Sequence, residues 1–495
     1  MKLLSVSPTV TRITSATPAE LDLLRKQLSY TNSSVSYMLH QLRKNKWLRR
    51  EKPDVWKARI EELEAKVHTN LMFEDDNGLW FHTGFIPHIE KIKIETESKV
   101  VKPEPKLMPW HNKPTLTPYP YQTSTVDLLI NNIHGSAELA TGLGKSFIIL
   151  MLAQRLGLRT VVITPSTSIF GEILESFRHH LGPTVGAYGD GHKKLGYVTV
   201  AIAKSLTMVK PGSDVWEHFS KADVVISDEA HLNPSTTNEK VFHHLLANVP
   251  YRFFLSATQT RNDGALPLLK CLNGRQVYEK SIAEGIREGY LSKLEFRIVK
   301  VSSDDYKSKD AQRMKRHHYL YNSEVIDKTV TAAEALWKSR GEQSLILVEE
   351  LEQLQLLLKK IKIPVTYVHG NTDAKRLKEL GLGKTDLKKE IERFNKGEVP
   401  IFIGTRCVST GTNFYPTHNT FDLQAVASEV AFFQGPIGRS TRLFQPDKCR
   451  YFTGKSVPKN VSRIWMFRVE GVQLMEKQLE KRLDMARSTG CSVIE

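Results

Sequence analysis

Short runs of β-branched and aromatic residues alternate with stretches of helical spacing from residue 121 onward. The runs TVVIT, VTVAIA, DVVIS and RFFLS come first, and SLILV, VTYVH and PIFIGT follow. They are apolar almost throughout instead of alternating in and out, which is how strands covered on both faces read. With helices between them they predict parallel sheets, in two groups at residues 121–285 and 286–495. The expected fold class is therefore α/β, with two such domains in tandem.

Residues 1–102 have a different texture. A helical pattern, AELDLLRKQLSY, is followed by LMFEDDNGLWF, whose Asn77-Gly78 step suits a tight hairpin turn. This predicts a small α+β domain ahead of the two sheets. Residues 103–120 hold prolines at 103, 105, 109, 114, 118 and 120, which remove backbone donors and disfavour helix, so an extended linker is expected. At the other end GVQLMEKQLEKRLDMARS places Val472, Leu474, Met475 and Leu479 at helical spacing, predicting a helix that packs on the second domain.

Composition narrows the partners. The 495 residues are 40% hydrophobic and 25% charged, and 70 Lys and Arg against 54 Asp and Glu give a net charge of +16, which suits a polyanion. The cysteines Cys271, Cys407, Cys449 and Cys491 form no C-x-x-C pair, so neither a zinc knuckle nor a disulfide framework is indicated. No apolar run reaches the length of a membrane span, and a cytoplasmic protein is expected.

Two stretches concentrate the charge. LHQLRKNKWLRREK sets Arg43, Lys44, Lys46, Arg49 and Arg50 around Trp47, which reads either as a backbone-binding patch for nucleic acid or as a solvated helix. KSKDAQRMKRHH, residues 307–318, reads either as a track for duplex phosphates or as a solvated face.

The chemistry starts at ELATGLGKSFIIL, residues 138–150. The pattern G-x-x-x-x-G-K-[ST] would need glycine where the chain has Leu139, so the segment reads as a phosphate loop or as an ordinary glycine turn. Context favours the loop: SAELA can form the preceding strand, and an apolar helix follows Gly142, Gly144, Lys145 and Ser146, as anion binding at a helix N-terminus requires. Two other segments share the letters. GLGKT at 381–385 follows a polar helical run, and FTGKS at 452–456 runs into Val457-Pro458, so both read as surface turns.

About eighty residues downstream, Asp228, Glu229, Ala230 and His231 follow the buried run DVVIS, at the sheet edge where α/β folds collect ligands. Acidic residues there can hold Mg²⁺ and activate water. FFLSAT ends a further run with Ser256 and Thr258, and FFQGPIGRSTR gathers Gln434, Gly438, Arg439 and Arg442. Arg439 and Arg442, three apart, are expected to share one helix face.

In this order and spacing, over residues 118–445, the segments resemble the motifs of superfamily 2 helicases with a DEAH box: PYPYQ, ATGLGKS, VVITPS, DEAH and LSAT, then SLILVEE, VTYVHG, IFIGTRCVSTGTNF and QGPIGRSTR. In that family the phosphate loop commonly lacks the early glycine, so Leu139 is no objection. The resemblance implies two tandem RecA-like domains, ATP and Mg²⁺ as cofactors, and DNA as partner. It implies that Gln122 reads adenine, and that Thr141, Gly142, Gly144, Lys145 and Ser146 cradle the phosphates. Ser146 and Asp228 would hold Mg²⁺, Glu229 would activate water, and Gln434, Arg439 and Arg442 would act on the γ-phosphate from the second domain. His231, Ser256 and Thr258 would relay closure, and Thr164, Pro165, Thr405 and Gly411 would hold a DNA strand. Gln259 stands where related enzymes often have proline and Asn413 where they often have Asp, which bears on coupling.

Among its branches, a small N-terminal domain ahead of two motor domains most resembles the phage branch-migration helicases of the UvsW type. That implies work on forks and junctions in recombination, replication or repair, within a host cytoplasm, with other proteins of those processes as further partners. RNA unwinding, duplex translocation without strand separation, and a motor-dead coating protein stay open on the residues alone.

Overall fold

The computed structural model describes every residue except 116, 233–235, 259–263, 371, 409–412, 426–427, 445, 447–453 and 455. The chain divides into two units, residues 1–139 with 144–279 and residues 140–143 with 280–495.

The first unit opens with a five-stranded sheet in the order Met72–Asp75, Gly78–His82, Val10–Ser15, Lys2–Ser5, Glu95–Ser98. All neighbours are antiparallel except the last pair. The predicted hairpin forms, but its two turn residues are Asp76 and Asn77, one earlier than the Asn-Gly step suggests. Asp75 pairs with Gly78, which takes φ +98°. A glycine in the left-handed region just after a turn suits a bulged hairpin closure, so Gly78 acts as the first strand residue. The helix Pro18–Gln27 starts with a reciprocal Thr17/Glu20 cap.

Between two short paired strands, Ser29–Thr31 and His68–Asn70, an arm of three helices is inserted: Ser33–Lys44, Lys46–Glu51 and Pro53–Val67. The last two helices contain no buried residue, and Tyr37, Met38, Trp47 and Val55 are exposed. Residues 103–112 are extended, as the prolines require, but they are bound along their length. Lys106 and Met108 donate backbone N–H groups to Leu156 and Gln154, and His111 donates to His180. A Cβ on Gly157 would lie 1.7 Å from the Lys106 carbonyl oxygen, so only glycine admits this strap.

The strap leads into an eight-stranded sheet in the order 192–194, 186–189, 198–202, 160–164, 224–227, 251–256, 134–139, 275–280. From Gly186–Gly189 across to His134–Leu139 the neighbours are all parallel. The central strands Thr160–Thr164, Val224–Ser227 and Tyr251–Ser256 are buried at every position, which is why hydropathy shows them as unbroken runs. The small N-terminal sheet shares its core with this one: Leu3, Leu24, Phe81 and Phe85 belong to the same apolar cluster as Val161, Ile163 and Phe254.

The second unit is a seven-stranded, wholly parallel sheet ordered 365–368, 401–404, 344–347, 419–422, 461–469, 293–301, 492–494. The strands Asn419–Asp422, Val461–Val469 and Lys293–Val301 do not stand out as apolar runs because they carry polar residues that the sheet satisfies internally. Trp465 Nε1, for example, donates to Asn419 Oδ1. The C-terminal helix Gln473–Ser488 packs on this unit through Met475, Leu479, Leu483 and Ala486. It also inserts Arg482, which meets Asp422 at 2.9 Å with both side chains fully buried. Among the described residues no helix is long and apolar enough to cross a membrane.

Candidate nucleotide-binding and motor site

The strand His134–Leu139 and the helix Lys145–Leu156 enclose the loop that the sequence marked. Gly142 and Gly144 take φ +96° and +73°, a conformation that side-chain-bearing residues avoid, so both glycines are conformational requirements. Gly144 caps the helix, and Lys145 and Ser146 begin it, with Ser146 exposed. This aims the free N–H groups of a helix N-terminus out of the loop, the arrangement that binds phosphate. The Lys145 ammonium donates to the Leu139 carbonyl at 3.2 Å.

Gln122 lies against the loop. It is 4% exposed, its Oε1 accepts from the Tyr119 N–H, and its Nε2 would sit 2.6 Å from a Cβ on Gly144. The capping position at the start of the helix Pro120–Asn132 therefore holds the amide over the loop. Tyr119, exposed and stacked on Tyr121, stands beside it as an aromatic face that the motif reading passed over. The signal was present in PYPYQ, where tyrosines flank the second proline.

At the end of the strand Val224–Ser227, Asp228 is held by its own N–H donating to the Ile163 carbonyl, and its Oδ1 accepts from the Glu229 N–H at 2.9 Å. Glu229 has φ +49°, uncommon for a residue with a side chain, and so the two adjacent acids turn sharply out of the sheet edge. Burial, reinforced by the Glu229 charge, pushes the Asp228 carboxyl up to about 7, against the pull of Lys145. No lysine or arginine among the described residues pairs with Asp228 directly. A buried carboxyl at a strand end, within electrostatic reach of the helix-start lysine, is a donor suited to a divalent cation beside phosphate, so the residues fit ATP and Mg²⁺.

A chain of polar contacts leads away from these acids. His231 Nδ1 lies 3.4 Å from Glu229 Oε2 and 2.9 Å from Ser256 Oγ, and Ser256 Oγ accepts from the Thr258 N–H. His231 and Ser256 are buried, and the Thr258 hydroxyl is buried without a hydrogen bond. The three residues expected to relay the state of the site thus form one connected path.

The strand-holding residues fare differently. Thr164 is fully buried and its hydroxyl bonds the Ala201 carbonyl, while Pro165 beside it is half-buried. A hydroxyl at the end of a central strand is already used inside the sheet. Thr405 is 8% exposed and bonds Cys407 Sγ. Gly411 lies outside the described residues.

In the second unit Gln434 and Arg439 are buried, but the helical face expected for Arg439 and Arg442 does not form. The helix runs Gly438–Ser440 and ends before Arg442, whose guanidinium lies 5.5 Å from the Tyr415 ring centre. Beneath the turn, Lys459, 1% exposed, donates to the Ser440 carbonyl, and Ser440 Oγ bonds Thr420. Sequence spacing alone carries no sign of this buried lysine.

Arg43, Lys44, Lys46, Trp47, Arg49 and Arg50 all lie exposed on the helical arm. Arg43 pairs with Glu64 and Arg50 with Glu51, and Arg49 lies over Trp56. In residues 307–318, Lys315 pairs with Glu349 and Arg316 with Glu350, while Arg313 stays largely exposed. GLGKT lies in a loop after the helix Ala374–Glu379, without a helix at its lysine.

The fold and the loop define a chain built on two parallel RecA-like sheets, the first with a phosphate loop and a paired-acid strand end. Residues 115–261 match the family model of the type III restriction enzyme res subunit, and residues 327–443 match the helicase conserved C-terminal domain. The chain belongs to the superfamily 2 helicases, a family of ATP-hydrolysing enzymes.

The DNA 3'-5' translocase XPB2 of Sulfurisphaera tokodaii is 28% identical over 202 residues, covering 40% of this chain and 44% of that protein; the chain thus spans less than half of this curated relative's length. Among solved structures, T4 UvsW aligns over 100% of this chain and 98% of its own at 16% identity, with a TM-score of 0.42. S. cerevisiae Dbp5 bound to RNA and ADP BeF3 aligns over 77% of this chain and 90% of its own at 12% identity and TM-score 0.51, a likeness of fold alone.

Proposed function

We propose that this chain is an ATP-driven DNA translocase that remodels forked and junction DNA. The observation that carries the reading is the path from Glu229 through His231 and Ser256 to Thr258, which ties the hydrolytic acids to a neighbouring strand end. Lys145 is assigned to the β and γ phosphates, Ser146 and Asp228 to Mg²⁺, and Glu229 to the attacking water. Gln122 reads the base, and Gln434, Arg439 and Arg442 sense the γ-phosphate.

DNA, and not RNA, is favoured by the likeness to the XPB2 translocase. The exposed arm offers a contact of the right chemistry: Lys44 and Lys46 for phosphates, and Trp47, 63% exposed, for stacking on a base at the branch point. The domain boundaries read from the sequence are proposed to hold functionally, with residues 1–102 gripping the branch and the two sheets moving along it.

The test is ATP-dependent conversion of a synthetic four-way DNA junction into two-armed products, with Lys145→Ala as control. Conversion by the intact chain and none by the variant is expected. ATP hydrolysis stimulated by RNA and not by DNA of equal length would instead assign an RNA helicase. DNA-stimulated hydrolysis without conversion, but with triplex displacement, would assign a duplex translocase.

A further inference from the structure

Away from the nucleotide site, two stacked histidines carry buried ring nitrogens without hydrogen bonds, beside a half-buried carboxylate. His82, the last residue of the strand Gly78–His82, is 5% exposed, and neither of its ring nitrogens makes a hydrogen bond. Its ring stacks on that of His243, with centroids 3.7 Å apart and planes 26° from parallel, and His243 Nδ1 is likewise buried without a hydrogen bond. Glu239 lies four residues before His243 on the helical stretch 236–245, a spacing that puts both on one face. One ligand atom from each of His82, Glu239 and His243 lies within 4.8 Å of the others.

Buried imidazole nitrogens in native proteins are normally paired, because leaving water without a replacement partner is costly. The Thr9 backbone is near enough to His82 to oppose the effect of burial on it, yet falls short of a hydrogen bond. Ring stacking supplies van der Waals contact and leaves the in-plane nitrogens unanswered. Two ligands one helical turn apart, joined by a third from a distant strand, are a usual way to build a metal site.

We propose that His82, Glu239 and His243 bind one transition-metal ion of the Zn²⁺ class, which fastens the N-terminal sheet to the first motor sheet. The donors select the ion: two neutral imidazoles suit Zn²⁺, Cu²⁺ or Ni²⁺, whereas Mg²⁺ and Ca²⁺ require oxygen ligands. The nearby guanidinium of Arg252, buried and donating to the Leu246 and Phe242 carbonyls, adds a repulsion that any divalent cation here must offset. Imidazole–metal bonds and the Glu239 carboxylate offset it. Binding at about 2.0–2.1 Å per nitrogen requires the two rings to turn out of their stack so that their in-plane lone pairs converge on the ion. The site is separate from the nucleotide loop and stands whether or not the motor acts on DNA.

The experiment uses the full-length chain without an affinity tag, stripped with chelator and then titrated with Zn²⁺ and with Co²⁺. Uptake of one equivalent is expected, with a visible Co²⁺ spectrum of low coordination number, displacement of Co²⁺ by Zn²⁺, and a higher melting temperature. His82→Ala and Glu239→Gln are each expected to weaken binding on the order of a hundredfold. Glu239→Gln keeps the shape of the side chain, and its circular dichroism separates loss of the ligand from loss of the fold. The proposal is overturned if the intact chain takes up no Zn²⁺ beyond what folded Glu239→Gln takes up, or if Zn²⁺ leaves the melting temperature unchanged.

Discussion

Asp228 and Asp422 occupy equivalent places in the two sheets, each following or ending a buried parallel strand, yet the molecule treats them in opposite ways. Asp422 is matched inside the protein. Arg482 from the C-terminal helix pairs with it at 2.9 Å, the Gln424 N–H donates to its Oδ1, and the Tyr319 hydroxyl bonds its carbonyl. Asp228 has the Glu229 N–H and an adjacent acid, and its carboxyl is pushed up to about 7 by burial and that neighbour. One acid is spent on holding a helix; the other has no basic side chain paired with it among the described residues, which suits the cation role proposed for it. A buried charge is therefore informative only with its partners counted.

The comparison breaks first at Asp228. Asp228→Asn is expected to lower ATP turnover on the order of 10³-fold, measured as phosphate release with saturating DNA. The same change is expected to raise the melting temperature of the nucleotide-free, metal-free protein. The sign follows from the raised carboxyl: between the ordinary value of 3.8 and about 7 the folded state holds a proton that the unfolded chain releases, so folding loses stability as pH rises through that window. The gain from asparagine should be largest above pH 7 and vanish near pH 4. A lower melting temperature at pH 7.5 would show that Asp228 has a structural partner like that of Asp422.

In the other sheet the expectation reverses. Arg482→Met leaves Asp422 buried without its counter-charge and is expected to cost about 3–5 kcal/mol in denaturant unfolding of the second unit. Adding Asp422→Asn should restore much of it. If Arg482→Met alone is neutral, the C-terminal helix is held by Met475, Leu479 and Leu483 and the ion pair is incidental. The smallest effect is expected at Ser256→Ala, which takes one hydrogen bond from His231, roughly 1 kcal/mol. It should lower the DNA-stimulated rate several-fold more than the basal rate; equal reduction of both would remove the relay from the path.

Much of this was legible in the chain. Asp228 and Glu229, the glycines of the loop, and His231 with Ser256 were readable because each must stand at the end of a buried strand, and buried parallel strands announce themselves as apolar runs. Other features were hidden for physical reasons. Thr164 looks like a surface hydroxyl in VVITPS, but whether a strand-end hydroxyl points outward or into its neighbour is decided by the next strand, here at Ala201. Arg439 and Arg442 are helically spaced, but the helix ends before the second of them. Arg482 and Lys459 count toward a basic total that suggested polyanions, and both are buried inside the protein. The strand Lys293–Val301, KLEFRIVKV, alternates charged and apolar residues and so hides inside its sheet.

The strap at residues 103–112 has a consequence for anyone who would cut or extend this protein. A proline-rich joint usually tolerates added length, because a free tether loses little when it grows. Here the Lys106 carbonyl occupies the space that a side chain at 157 would fill, and Lys106 and Met108 are registered on Leu156 and Gln154. An insertion between residues 106 and 108 would break that register, carrying the Met108 N–H away from the Gln154 carbonyl while the Lys106 carbonyl stays over Gly157. The seam between the small sheet and the motor is thus closed to grafting.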